Sequence, residues 1–364
     1  MGISRSVSRR TALIAGATFT AAIAGGGQRA VGAPVPTQLG PAGYVSVDLT
    51  GTQGQRVALR IGLPGGKSVE IAVRRTTHGR DDRPLPNTSE LIALPPDTID
   101  LEVITDAGIS ISPTRYRIAT APNFQAPVAT HYGWGFPVVT RSGWGADPAL
   151  QTWGEPEYTP AQLITVHHTA QPRGDEFIDY RDAIRSIYRF HALPEAEGGR
   201  GWGDIGYHLI IDPNGVIYAG RDTGTEAPIF TPGTTSLKPR TSVVTAGHVY
   251  QANSGNIGIC VIGDFTGSQP TPAARAALTQ VLSALCQQLQ LNPQAAVQYA
   301  NPNNAVRATQ WAVSGHRDWS KIAGPTECPG DELWALLPAL RSATELKIAD
   351  ENRVPRTAPS APVS

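Results

Sequence analysis

The sequence has little cysteine, little charge and no long apolar run. Its three cysteines in 364 residues permit at most one disulfide; Cys260 and Cys286 could pair, although both fall in apolar elements that suit free thiols. Charged residues make up only 16% and the formal net charge is zero, so nothing indicates a nucleic-acid or membrane-surface partner. The N-terminal apolar segment, residues 11–27, is shorter than the roughly 20 residues that cross a bilayer. We therefore expect no permanent membrane span.

The length and the 40% hydrophobic content are sufficient for two packed domains. Arg9 and Arg10 precede the apolar segment, and a small-residue cleavage context follows at residues 31–33. This order is typical of a twin-arginine export signal and predicts a secreted or cell-envelope protein; a disordered basic tail is the alternative. The predicted organisation is an export signal at 1–33, a linker at 34–43, a small all-β domain at 44–122, a linker at 123–137, an α/β domain at 138–345 and a disordered tail at 346–364.

The first domain is interpreted as a small β-sandwich of unknown role. Short alternating or apolar runs, such as residues 57–61 and 69–73, are separated by glycine, proline, aspartate and asparagine. His78 lies beside several arginines and is interpreted as a solvated surface group. A wall-binding or protein-binding role for this domain stays open, because it contains no recognisable chemistry.

The second domain alternates strands and helices. The sequence predicts strands at 163–168, 207–212, 216–219 and 256–263, and helices at 176–191, from Thr271-Pro272 onward, and from Asp331 to about Arg341. A hairpin turn is expected at residues 213–215. The predicted fold class is therefore α/β, with a mixed central sheet flanked by helices and preceded by the small β-sandwich-like domain.

Candidate metal ligands stand on two separate stretches of this domain. His316 and Cys328 share a loop rich in turn formers, and the strand at 163–168 ends in His167 and His168. Because successive strand residues face opposite sides, only one of these two histidines can reach the same metal. Three protein ligands leave one position open, which is typical of catalytic zinc and indicates hydrolysis.

Several local motifs occur together and in order. They are Arg141-Ser142-Gly143-Trp144-Gly145-Ala146, Val166-His167-His168-Thr169, Gly201 to His208, Ile217 to Asp222, Asn256 to Ile259, Gly263-Asp264-Phe265, and Gly315-His316-Arg317-Asp318 through Cys328-Pro329-Gly330. Jointly they resemble the zinc-dependent N-acetylmuramoyl-L-alanine amidases, the family that includes peptidoglycan recognition proteins. The resemblance covers roughly residues 138–341.

The resemblance implies a Zn²⁺ site and a peptidoglycan substrate, that is, a glycan strand with its stem peptide. By correspondence of motifs the metal ligands are His167, His316 and Cys328. The candidate catalytic residues are Tyr207, for stabilising an oxyanion, and Thr326, at a position where relatives have lysine or threonine. The candidate substrate-binding residues are His191, Trp202 and His248.

The expected reaction is hydrolysis, by a zinc-activated water, of the amide between N-acetylmuramic acid and L-alanine. The alternative is a non-catalytic recognition module, although such modules typically lack the cysteine ligand that Cys328 would supply. A zinc amidase acting on another acylated amine is a further alternative. Two departures from the family pattern are a longer loop between His316 and Cys328 and an insertion between Asp222 and Gly247.

Overall fold

The computed structural model describes residues 43–50, 56–90, 92–95, 98–105, 113–117, 128–170, 179–234 and 236–353. The predicted export signal at 1–33 lies outside these residues. Among the described helices, none combines the length and apolarity that crossing a bilayer requires.

The N-terminal domain consists of two small antiparallel sheets around one core. Its strands are β1 (Gly43–Val47), β2 (Val57–Leu63), β3 (Lys67–Ala72), β4 (Ile92–Leu94), β5 (Asp100–Thr105) and β6 (Pro113–Arg117). The sheet orders are β4-β1-β6 and β3-β2-β5. Val45 and Val47 from the first sheet pack in one apolar cluster with Leu59 and Ile61 from the second, because alternate residues of each strand face inward.

The second domain is built on a seven-stranded mixed sheet with the order β17-β10-β14-β11-β12-β8-β7. The strands of this domain are β7 (Ala129–His131), β8 (Pro137–Val139), β9 (Tyr158–Pro160), β10 (Leu163–His168), β11 (Leu209–Ile211), β12 (Ile217–Ala219), β13 (Ser242–Val244), β14 (Asn256–Val261), β15 (Ala296–Ala300), β16 (Arg307–Trp311) and β17 (Val313–Gly315). Strands β17, β10, β14 and β11 run parallel, whereas β11 and β12 form an antiparallel hairpin. The hairpin turn is the predicted one, with Gly215 at a φ of 82°.

Helices cover both faces of this sheet. They are α1 (Arg141–Trp144), α2 (Tyr180–Ala192), α3 (Pro272–Leu289), α4 (Ser320–Ala323) and α5 (Asp331–Arg353). Helices α3 and α5 share an apolar core with one face, and α1 and α2 with the other. As predicted, Thr271 caps α3: its hydroxyl accepts a hydrogen bond from the Ala274 N–H at 3.1 Å. The mixed sheet flanked by helices confirms the predicted fold class.

The structure corrects two predicted boundaries. Strand β7 lies within the predicted linker at 123–137 and pairs with β8; its three side chains are all exposed, so no apolar alternation marks it in the sequence. Helix α5 continues to Arg353, inside the predicted tail, where Lys347 and Glu351 form an i,i+4 ion pair at 2.8 Å. The helix packs along α3, and this contact extends to its last turn, where Gln287 of α3 donates to Asn352 at 2.8 Å.

The connection between β3 and β4 leaves the N-terminal domain and lies against the α/β domain. We call residues 74–90 the docking segment. Thr76 and Thr77 are buried in it, and the Thr77 carbonyl accepts a hydrogen bond from the Tyr250 N–H at 3.2 Å. This segment brings residues of the first domain to the carboxyl ends of β10 and β14.

Candidate metal centre

Four side chains from both domains meet at the carboxyl end of strand β10. One ligand atom from each of His78, His167, His316 and Cys328 lies within 4.8 Å of every other, and all four residues are buried. The His78 Nε2 to His167 Nδ1 distance is 3.3 Å, and the His167 Nδ1 to Cys328 Sγ distance is 3.7 Å. A tetrahedral zinc with ordinary bond lengths has N–N edges of about 3.3–3.4 Å and N–S edges of about 3.5–3.6 Å. These two distances are therefore close to the edges of a tetrahedral zinc site.

A chain of hydrogen bonds directs one nitrogen of His167 toward this cluster. The Asn256 carbonyl can only accept, so His248 Nε2 donates to it at 2.9 Å. His248 Nδ1 is then an acceptor, and His167 Nε2 donates to it at 3.0 Å. The hydrogen-bond network thus assigns the tautomer of His167 and leaves the Nδ1 lone pair facing the cluster.

Burial keeps the His167 ring neutral. The pKa of His167 is held well below its usual range by burial first and by the neighbouring His316 and His248 rings second. A neutral imidazole with a free lone pair is the form that binds a metal.

A glycine on strand β14 makes room for the supporting histidine. A Cβ placed on Gly258 would lie 2.5 Å from the His248 ring, which no real side chain tolerates. His248 can therefore pack flat against the strand and reach His167.

We expect His248→Ala to weaken zinc binding about 10- to 100-fold, because the loss of such supporting partners has that effect on metal affinity. Chelator competition on the purified full chain measures it. The matched control is His131→Ala, since His131 is an exposed histidine of β7. Equal affinities for the two variants would contradict the role assigned to His248.

His316 and Cys328 have buried ligand atoms that a bound cation would satisfy. Both ring nitrogens of His316 are buried and form no hydrogen bond of acceptable geometry with the described residues, although the Thr77 backbone lies nearby. Burial raises the pKa of the Cys328 thiol, while the His168 N–H points at its sulfur from 3.4 Å. A bound cation would satisfy the imidazole and stabilise the thiolate, so these residues fit a metal.

The prediction that His78 is a solvated surface group is wrong. The residue is 3% exposed, and its ring lies 4.3 Å from that of His316 between centroids. Its Nδ1 donates to the Glu90 carboxylate at 2.8 Å, which leaves Nε2 as the atom that faces the cluster. Neighbouring arginines indicated a surface position, but the docking segment is buried from Thr76 to Arg80, and Arg80 donates to the Trp202 carbonyl of the second domain at 2.9 Å.

The candidate catalytic residues lie beside the cluster. The Tyr207 hydroxyl is 3.5 Å from His78 Nε2, and burial raises the pKa of Tyr207 well above its usual value, so the hydroxyl stays a proton donor. The Thr326 hydroxyl accepts a hydrogen bond from the Cys328 N–H at 3.2 Å. Thr326 therefore helps to hold the loop that carries the cysteine.

Of the three candidate substrate-binding residues, one lines a cavity beside the cluster. His191 contributes to a cavity of about 250 Å³ whose walls come from both domains. Its Nδ1 accepts a hydrogen bond from the Gly206 N–H at 3.1 Å, so in the neutral ring Nε2 carries the hydrogen. His191 can thus offer a donor to a ligand.

The structure places the other two candidates outside the lining of this cavity. His248 is fully buried behind His167 and supports a candidate ligand instead of touching substrate. Trp202 is 2% exposed, and its ring packs 4.4 Å from that of His191. Glycine-rich sequence around both residues suggested an open groove, but these segments turn inward.

Sequence reasoning gave His78 no role at the site and did not single out Glu90. The available signal was the length of the connection at residues 73–91, which is too long for a hairpin loop and lacks apolar periodicity. Such loops in compact domains are usually functional.

Comparisons with known proteins agree with the site. A buried cluster of three histidines and a cysteine at the end of a mixed sheet, beside a buried tyrosine, is a candidate site for metal-dependent hydrolysis. Residues 157–331 match the family model described as N-acetylmuramoyl-L-alanine amidase. The human N-acetylmuramoyl-L-alanine amidase is 29% identical over 184 residues, which cover 49% of this chain and 24% of that protein.

Two further similarities concern peptidoglycan recognition proteins. Peptidoglycan-recognition protein SC2 of Drosophila simulans is 24% identical over 169 residues, which cover 46% of this chain and 68% of that protein. The crystal structure of Drosophila peptidoglycan recognition protein SD covers 55% of this chain and 92% of that chain, with 25% identity and a TM-score of 0.38. Residues 157–331 therefore resemble the N-acetylmuramoyl-L-alanine amidases and the peptidoglycan recognition proteins, and the resemblance drawn from the sequence is confirmed.

Proposed function

We propose that this protein is an exported, zinc-dependent amidase that cleaves the bond between N-acetylmuramic acid and L-alanine in peptidoglycan. The observation that carries the proposal is the grouping of His167, His316 and Cys328 beside Tyr207 within a domain of the amidase family. Arg9 and Arg10 ahead of an apolar segment support export.

The metal, when bound by His167, His316 and Cys328, would activate a water and polarise the scissile carbonyl. The other contributions come from the chain itself. Tyr207 keeps its proton and can donate a hydrogen bond to the oxyanion that forms at the carbonyl. His191 can donate from Nε2 to the substrate, and the His248–Asn256 pair holds His167 in its ligating tautomer.

The test measures new L-alanine amino termini released from purified peptidoglycan by the full chain. It compares the zinc-loaded protein, the same protein after chelation and the protein after zinc is restored. A His78→Ala variant is assayed in parallel, because His78 lies at the metal cluster. The proposal is supported if the zinc-loaded and zinc-restored proteins release termini and the chelated protein does not.

A non-catalytic recognition module is the second candidate function. It is favoured by the presence of a fourth side chain, His78, where a catalytic site would hold a water. Suppose that the wild type and His78→Ala each bind one zinc per chain and bind to insoluble cell wall, but neither releases L-alanine termini. The amidase proposal then fails, and the recognition module replaces it.

We expect Tyr207→Phe to lower kcat about 100- to 1,000-fold, since it removes one oxyanion donor. Zinc affinity should stay unchanged, because the hydroxyl is not a ligand. Comparison with Tyr250→Phe controls for the loss of a tyrosine hydroxyl elsewhere. A Tyr207→Phe enzyme with wild-type kcat would remove this residue from the mechanism.

A further inference from the structure

We propose that His78 is a displaceable fourth ligand of the metal, through which the N-terminal domain holds the amidase in a latent state. The inference rests on the proposed amidase function and concerns its regulation. In this state all four positions of a tetrahedral metal are taken by protein, so none is open to water or substrate.

His78 is equipped as a ligand on both sides of its ring. On one side Nδ1 donates to Glu90, as ligating histidines commonly do to a carboxylate. On the other side Nε2 lies 3.3 Å from His167 Nδ1, the spacing of two ligands on one zinc. A histidine buried only for packing would need neither the Glu90 carboxylate at Nδ1 nor the ligand atoms of His167, His316 and Cys328 near Nε2.

Glu90 is itself fixed from the second domain. Arg200 donates to the Glu90 carboxylate at 3.1 Å and to the Ser89 carbonyl at 2.7 Å, and the Thr76 hydroxyl donates to the other carboxylate oxygen. The carboxylate that orients His78 is therefore held in place by residues of both domains.

The His78 ring also occupies the space next to Tyr207. With the Tyr207 hydroxyl 3.5 Å from His78 Nε2, a scissile carbonyl cannot lie between this hydroxyl and the metal. The adjoining cavity of about 250 Å³ is closed on one side by the docking segment. Movement of the segment would remove this wall and widen the cavity toward the size of ordinary ligand pockets, about 300–1,000 Å³.

The docking segment is held mainly by polar contacts. Asn253 Nδ2 donates to Asp81 Oδ1 at 2.5 Å, and Asn301 Nδ2 donates to Asp81 Oδ2 at 2.8 Å. Arg80 donates to the Trp202 carbonyl at 2.9 Å, and Arg83 to the Gly201 carbonyl at 2.6 Å. An interface of this kind exchanges its hydrogen bonds for water when it opens, which distinguishes it from a permanently fused apolar core.

The domain that supplies His78 has its own apolar core. Removing the docking segment from the metal therefore leaves both domains with their main clusters of buried side chains. Such a two-state arrangement can shift between latent and open forms by loss of one metal bond and the polar contacts around it.

The experiment replaces zinc by Co²⁺ in the full chain and follows the visible absorption bands of the cobalt during titration with azide. We expect the wild-type spectrum to be insensitive to azide, because no coordination position is open. His78→Ala should bind azide with a clear spectral change and lose zinc affinity about 10-fold or more. On purified peptidoglycan it should release L-alanine termini more than about 10-fold faster than the wild type.

His131→Ala is the matched control and should behave as the wild type. Glu90→Gln is a second variant. It keeps His78 but weakens the hydrogen bond that orients its ring, so the variant should bind azide more strongly than the wild type and more weakly than His78→Ala. Circular dichroism verifies that each variant is folded, and the wild-type titration decides the ligand assignment without any variant.

The possible outcomes separate the ligand, the latency and the amidase function. A wild-type cobalt spectrum as sensitive to azide as that of His78→Ala would overturn the assignment of His78 as a ligand. An insensitive wild type that nevertheless hydrolyses as fast as His78→Ala would overturn the latency. If His78→Ala gains azide binding but neither protein releases termini, the ligand assignment is supported and the amidase function is the part that fails.

Discussion

Cys328→Ser is expected to lose tightly bound zinc and to release L-alanine termini at least about 1,000-fold more slowly, since the metal contributes several kcal/mol to such reactions. The thiolate is the only soft, anionic donor in the cluster, and a serine hydroxyl at the same place is a poor ligand for zinc. Zinc content measures the first effect, and the terminus assay the second. The rates are compared in whichever background, wild type or His78→Ala, is the more active.

A second buried thiol provides the control for this substitution. Cys286 is 1% exposed on helix α3 and packs in the apolar core away from the metal cluster. Cys286→Ala should retain one zinc per chain and nearly the full rate, because this thiol acts as a small hydrophobic group. A Cys328→Ser protein with stoichiometric zinc and a rate within about 10-fold of the parent would refute the ligand assignment.

Asp204→Ala is expected to lower the free energy of unfolding by about 3–5 kcal/mol, the usual cost of removing one partner from a buried ionic network. Asp204 is fully buried; one carboxylate oxygen binds Arg141 at 2.9 Å and the other binds Arg221 at 2.8 Å. Burial already lowers the pKa of Arg221, which indicates how poorly this guanidinium is solvated. Without the carboxylate, Arg141 and Arg221 would both lose the ion-pair partner that they share in the interior.

Urea denaturation followed by tryptophan fluorescence measures this loss. The control is Glu351→Ala, which breaks the half-exposed pair with Lys347 and should cost only about 0.3–0.5 kcal/mol. Similar shifts for the two variants would show that the buried network contributes no more than a surface pair. Because Asp204 also accepts the Ile205 N–H at 2.7 Å, its loss should additionally displace the segment that leads to Tyr207.

The resemblance and three of the cluster residues could be named because their signals are local. His167 and His168 end an apolar strand, whose alternation allows only one of them to reach a given metal, and the family motif selects His167; in the structure the His168 ring lies 6.1 Å from that of Phe265 between centroids. His316 and Cys328 stand on one loop, with the cysteine among turn formers. Each of these signals extends over a few residues of chain.

The roles of His191, Trp202 and His248 could not be separated in this way. All three follow or precede glycine-rich turns, and the direction of such turns depends on what packs beneath them. His248 turned inward because Gly258 on strand β14 leaves space for its ring. That space exists only once the strand and the loop are side by side.

By itself the sequence predicted the α/β class, because strand and helix periodicity acts over neighbouring residues. Its short motifs carried the resemblance to the amidase family, and that resemblance named the candidate ligands His167, His316 and Cys328. Only the tertiary structure decided that His78 joins them. The histidine and its partner His167 are 89 positions apart, in different domains. Metal coordination depends on distances of a few ångströms between side chains, and such distances are set by the docking of one domain on another rather than by any local pattern.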